Sequence, residues 1–251
     1  MKVNDLKLYK NTAIVDFGDQ QVTLELEVVF KYNIKVGTEI LLSKFVEICN
    51  ESDERYGYRI AFSCLKHKLT VCELRQALSR HEIKEYIINK IINDLIQRKY
   101  LNDLEYALYV FEMKKSSKGI IEIESILSCK GISSAIIDII KTKYNASDEI
   151  DNFIDKYLKR THNKPKKTLI ASLKKYLYGL GFDEELIEHK VENREGSIYI
   201  DESSLIRKEL VKLKKEQINN SSSSKSIKSK LYQKGYSQKS IMEVLDEIND
   251  K

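Results

Sequence analysis

Basic residues are the most concentrated chemistry in this sequence. Between Lys156 and Phe182 stand Lys156, Lys159, Arg160, Lys164, Lys166, Lys167, Lys174 and Lys175, with no acid among them. A second acid-free stretch, Gln217 to Met242, carries Lys225, Lys228, Lys230, Lys234 and Lys239. Cations without counter-charge attract phosphates or an acidic protein surface, and counterion release makes the phosphate term independent of base sequence. Tyr157, Tyr176 and Tyr178 are interleaved with the first tract. Exposed rings there could stack on unpaired bases, whereas their helical spacing fits packing in a core. An ordinary solvated Lys-rich face is the plainer use of the same residues.

The other reactive side chains do not assemble into a site. The four histidines, at 67, 81, 162 and 189, are scattered, and no G-x-S-x-G, G-x-x-x-x-G-K or G-x-G-x-x-G segment occurs. Asp and Glu alternate with Lys along helices, as solvated pairs do. Cys64, His67, Cys72 and His81 place four soft ligands within eighteen residues, but no C-x-x-C or H-x-x-x-H pair is present to organise them around zinc. Cys49 and Cys129 complete the cysteines, without the density of a disulfide framework. The expectation is a binding protein with no catalytic residues, metal or cofactor.

Composition narrows the class of molecule. The chain has 251 residues, 42% of them hydrophobic, which is enough to bury a core, and its 32% charged residues leave no apolar run long enough to cross a membrane. No apolar segment follows the charges of Met1 to Lys10, so no secretory signal is read and a cytoplasmic location is expected. The net charge is +5, and 35 of the 43 basic residues are lysine. Residues 1–50 carry six lysines against seven acids, so the positive excess lies in the rest of the chain.

The elements that must position the tracts fall into two kinds. Ala13 to Phe17 and Val22 to Leu26 alternate apolar and polar around Gly18-Asp19-Gln20, which predicts a hairpin, and Val3 to Tyr9 supplies a third strand. A short helix is predicted around Glu27 to Tyr32, followed by a break at Gly37 and a helix capped by Ser43. Three short strands need a further element to pack against. From about residue 43 the apolar period changes to 3.6, and a repeat of about fifty residues emerges. Arg80-His81-Glu82-Ile83, Cys129-Lys130-Gly131-Ile132, Gly179-Leu180-Gly181-Phe182 and Gln233-Lys234-Gly235-Tyr236 align with offsets of 49, 50 and 54. Leu78, Leu127, Leu177 and Leu231 then share a column; Leu74, Ile123, Leu173 and Ile227 form another, and Ile88, Ile137, Ile187 and Ile241 a third.

Gly in three of the four junctions suits a helix end in the left-handed conformation. Another helical stretch precedes each pair, near 52–66, 102–115, 147–160 and 202–216, so the unit is three helices. Thr70-Val71-Cys72-Glu73 fits a capping box, Asn102-Asp103-Leu104-Glu105 resembles one, and Ser133, Ser147 and Asp183 are candidate caps. Asn219 to Ser224 and Thr161 to Pro165 read as loops. The expected fold is mainly α: tandem three-helix repeats in an elongated array with a small β-rich N-terminal module. The predicted boundaries are 1–50 for that module and 51–99, 100–145, 146–199 and 200–251 for four repeats.

Within this pattern Tyr100-Leu101-Asn102-Asp103-Leu104-Glu105-Tyr106-Ala107, Lys118-Gly119, Ile123, Leu127 and Lys130-Gly131-Ile132 resemble the central signature of the RecX family of recombinase regulators. Glu73-Leu74-Arg75 and Leu78 resemble the segment preceding it. The likeness is strongest over residues 60–140, and the strand-rich N-terminus resembles longer members from Gram-positive bacteria. His81-Glu82 stands where the family commonly has Lys-Gly, and Asn102 where it has Asp. The resemblance implies a protein of recombinational DNA repair that binds the RecA filament on single-stranded DNA and limits its growth, ATP hydrolysis and strand exchange. Single-stranded DNA is an expected weak direct partner, and a monomer is expected. The competing reading is a stand-alone DNA-binding helical-repeat protein. It needs a recognition helix with base-reading side chains, whereas Asp183 to Val191 and Ser133 to Lys143 offer mostly acids and aliphatics.

Overall fold

The computed structural model describes the backbone of residues 1–161, 163–218 and 224–249, and the side chains of 1–161, 163–213 and 227–248. The chain divides into two compact units, residues 1–109 with 127–137 and residues 110–126 with 138–251.

The first unit opens with an antiparallel sheet in the order β1 (Asp5–Leu8), β2 (Thr12–Asp16), β3 (Gln21–Glu25). Leu6 sits opposite Val15, and Val15 opposite Val22, so one face of the sheet is apolar. That face closes over α1 (Leu26–Lys31) and the start of α2 (Leu42–Cys64), burying Val3, Ala13, Val15, Leu24, Val28 and Ile48. Glu25, at the end of β3, is buried, and its carboxylate takes two bonds from Arg59 of α2, at 3.0 and 2.7 Å. Its backbone N–H donates to Ser52 Oγ at 2.8 Å. The strands are thus fixed to a helix by burial and by a forked ion pair.

α2 runs straight through position 50, where the sequence suggested a boundary. Its first turns belong to the sheet's core through Ile48, and its last to the next core through Ala61. Ser43 is not its cap: the helix starts at Leu42 after an extended Leu41, with no side-chain capping bond. α2 packs with α3 (Val71–Arg80) and α4 (Glu85–Gln97) around Leu74, Leu78, Ile87, Ile88, Ile91 and Leu95. Gly57 allows the approach, because a β-carbon there would stand 2.5 Å from the Ile91 side chain.

The next three helices are α5 (Asp103–Lys114), α6 (Ile120–Cys129) and α7 (Ser134–Lys143). Within the second unit, α8 (Ala146–Arg160), α9 (Lys166–Leu180) and α10 (Glu184–Glu195) form one trio around Ile150, Ile154, Leu169, Leu173, Leu177 and Ile187. α11 (Glu202–Ile218), α12 (Ser224–Gln233) and α13 (Gln238–Asn249) form another around Ile206, Leu210, Leu231, Ile241 and Val244. All four members of the first leucine column are fully buried. The protein is therefore mainly helical, with a small three-stranded sheet at its N-terminus.

Helix ends follow local chemistry. Thr70 and Glu73 form both bonds of a capping box, Asp183 accepts from the Leu186 N–H, and Asn102 accepts from the Glu105 N–H at 3.1 Å. Asn145, rather than Ser147, caps α8. Of the two predicted loops, 161–165 joins α8 to α9, with His162 outside the described residues; positions 219–223 of the other also lie outside them, and Ser224 begins α12.

Candidate nucleic-acid interface

The first basic tract covers the end of α8, the following loop and most of α9. On α9, Leu169, Leu173 and Leu177 turn inward at spacings of four, which places Lys167, Ala171, Lys175 and Tyr178 on the outer face. Lys156, Lys159 and Arg160 are exposed at the end of α8, and the Lys156 ammonium lies 5.2 Å from the centre of the Phe153 ring.

The structure removes some candidates from a free cationic surface. Lys174 forms an ion pair with Glu188 of α10, and that carboxylate holds its ammonium above the usual lysine range. Lys164 donates to Ser172 Oγ at 3.3 Å, and Lys166 is half-buried, with its backbone N–H on the Glu202 carboxylate. In the second tract Lys234 pairs with Glu209 of α11, and Lys228 contacts the Met242 sulfur at 2.9 Å. The acid-free stretches are free of acids in sequence only, because neighbouring helices deliver the carboxylates. Among the described residues, Arg160, Lys167, Lys175 and Lys230 form no ion pair. Lys225 lies on α12, with its side chain outside the described set.

The tyrosines separate in the same way. Tyr157 and Tyr176 are half-buried with rings 5.0 Å apart, which is packing, whereas Tyr178 is 40% exposed. Two more exposed rings of the second unit were not singled out by the sequence: Tyr232 on α12 and Tyr199 in the loop between α10 and α11, exposed at 61% and 90%. Tyr232 occupies the repeat position of Tyr178, so its exposure was readable from the alignment. Tyr199 belongs to no repeat column, and nothing in its sequence context announces it.

The junction glycines do more than end helices. Thr70 Oγ1, at the head of α3, donates to the Lys130 carbonyl at 2.7 Å, beside Gly131. The Gly119 N–H, at the head of α6, donates to the Leu180 carbonyl at 2.6 Å, and the Ile121 N–H to Gly181 at 3.1 Å. Thr168 Oγ1, at the head of α9, donates to the Lys234 carbonyl at 2.7 Å, beside Gly235. In each case the positive end of one second helix meets the terminal carbonyls of the next, which satisfies orphan groups on both. Acidic residues reinforce the joints. Asp103 accepts from the Val71 N–H at 2.9 Å, and the buried Glu202 accepts from the N–H groups of Lys166 and Ser237, both at 3.0 Å. Burial works to raise the Glu202 carboxyl, and the donated N–H groups outweigh it, leaving the pKa below the usual range.

No group of His, Cys, Asp and Glu that could hold a metal occurs among the described residues. His81 meets the Tyr56 hydroxyl through Nδ1 at 3.2 Å, and His189 meets Asn193. No helix among the described residues is long and apolar enough to cross a membrane.

These features define a class: a protein of helix trios joined by repeated end-to-end contacts, presenting lysines and a few exposed rings. No family model matches the chain. Its sequence is similar to proteins named regulatory protein RecX. It is 24% identical over 187 residues to that of Streptococcus sanguinis strain SK36, covering 72% of each chain. It is 26% identical over 234 residues to that of Listeria welshimeri serovar 6b, covering 90% of this chain and 87% of the relative. A crystal structure of regulatory protein RecX matches the fold with a TM-score of 0.55 at 18% identity, over 74% of this chain and 97% of that one. The resemblance read from residues 60–140 thus extends across most of the sequence.

Proposed function

We propose that this chain regulates the RecA recombinase by docking on its filament on single-stranded DNA and restraining filament growth, ATP hydrolysis and strand exchange. The observation that carries this reading is the similarity to proteins named regulatory protein RecX over 72% to 90% of the chain. The unpaired cations Arg160, Lys167, Lys175 and Lys230 support it, since a filament on DNA presents phosphate and carboxylate charge to anything that settles on it. In this reading the chain acts as a cytoplasmic monomer without catalysis of its own. Its helices form four repeats, and the first takes in the whole of α2.

Binding to the filament tests this directly. Filaments assembled on a long oligonucleotide with a non-hydrolysable nucleotide should co-sediment the chain. Arg160→Gln, Lys167→Gln and Lys175→Gln together should weaken that binding while leaving helix content and thermal midpoint unchanged. Absence of the wild-type chain from the pellet at micromolar concentration contradicts the proposal.

A further inference from the structure

Tyr199 is the most exposed large hydrophobic side chain among the described residues, at 90%, and its surroundings are built. It sits in the irregular stretch between α10 and α11, where its neighbours Ile198 and Ile200 are half-buried while the ring is exposed. The Ile198 N–H donates to the Glu195 carbonyl at 3.3 Å, and the Glu202 N–H to the Ile200 carbonyl at 2.9 Å, which ties the stretch to both adjoining helices. A tyrosine left in water on a tethered segment forgoes the burial that most tyrosines find.

Two clefts of the second unit meet at this ring. One, of about 530 Å³, carries the exposed Lys208 on its wall, and the other, of about 580 Å³, carries the exposed Lys167 and Tyr232. Both volumes fall in the range of small-ligand sites, ~300–1,000 Å³. Of the three acids that line these clefts, two are occupied by backbone donors, Asp201 by the Ser204 N–H and Glu202 by Lys166 and Ser237, and the third, Glu195, is exposed on the wall of the second cleft. A ring flanked on both sides by lysines repeats the order phosphate, base, phosphate. An acidic peptide would use the lysines and leave the ring idle.

We propose that Tyr199 and its two flanking clefts form a subsite for single-stranded nucleic acid, with one base stacked on the ring and the neighbouring phosphates held by Lys208 on one side and Lys167 on the other. This deepens the proposed function by giving the regulator its own hold on the strand. It does not require that the filament be bound.

The sequence contains no tryptophan, so Tyr199→Trp makes the full-length chain its own reporter. Titration with a twenty-nucleotide oligothymidylate at low salt should quench that fluorescence saturably. Tyr199→Ala should weaken binding of a labelled oligonucleotide about five- to a hundred-fold, the effect of one base–aromatic stack, and Tyr199→Phe should retain it. Because the ring is exposed, all three variants should keep the wild-type circular dichroism and melting curve. An unquenched Tyr199→Trp chain, together with unchanged binding by Tyr199→Ala, overturns the subsite. Loss of filament co-sedimentation by Tyr199→Ala with oligonucleotide affinity intact also overturns it, assigning the ring to a protein surface. Quenching by free oligonucleotide in a chain that never co-sediments with the filament sinks the filament reading instead and leaves the subsite standing.

Discussion

Gly131 answers two demands that are separable by experiment. Its φ is +74°, and a β-carbon there would stand 2.4 Å from Cys72 Cβ, so alanine brings both backbone strain and a clash with a neighbouring helix. Gly37 has φ +89° with open space around it, so alanine there brings strain alone. Gly131→Ala should cost about 2–5 kcal/mol in urea unfolding and Gly37→Ala about 1 kcal/mol; equal costs would show that the close approach carries no weight. Glu82, in the matching position of the first junction, takes φ +57° with a side chain attached. Glu82→Gly should therefore stabilise by about 0.5–1 kcal/mol in the same assay. The glycine column was legible because left-handed helix ends select glycine locally. The clash was not, since Cys72 lies far away in sequence and only packing brings it near.

Among the helices, what the sequence revealed tracks how purely each serves one core. The second helices carry one apolar stripe apiece, so Leu74, Leu78, Leu173 and Leu177 stood out and are all fully buried. Leu127→Ala in α6 should cost ~2–5 kcal/mol as a cavity-forming truncation, measured by chemical unfolding. α2 serves two cores, with Ile48 toward the sheet and Ala61 toward α3 and α4, so one continuous helix runs through residue 50, where the sequence suggested a boundary. The joints add a pH dependence. Glu202 titrates below its unfolded value, so its contribution is present above the unfolded carboxyl range, ~4.3, and disappears as pH falls through the depressed folded value. Glu73 is depressed too, with Lys130 and the Thr70 N–H outweighing burial. The urea midpoint of the wild type should drop more steeply between pH 6 and pH 3 than that of Glu202→Gln; parallel curves would show that this carboxylate does not couple the trios.

At the scale of the whole molecule, charge is what sequence reading overestimates. Lys174 and Lys234 looked unopposed along the chain, yet Glu188 and Glu209 reach them from neighbouring helices. Linear tracts cannot show this, because the partner comes from an element elsewhere in the chain. What survives in the second unit is a smaller set of unpaired cations with the exposed Tyr178 and Tyr232 on helices and Tyr199 on the loop between α10 and α11. A regulator of the proposed kind would act by occupying a surface, so its effect should appear in the partner's turnover. The direct measurement is ATP hydrolysis by purified RecA on single-stranded DNA with this chain at one-tenth of the recombinase concentration. The account predicts a marked fall in the steady-state rate, diminished when Arg160, Lys167 and Lys175 are all glutamine. A rate unchanged by the wild-type chain up to equimolar amounts would contradict it.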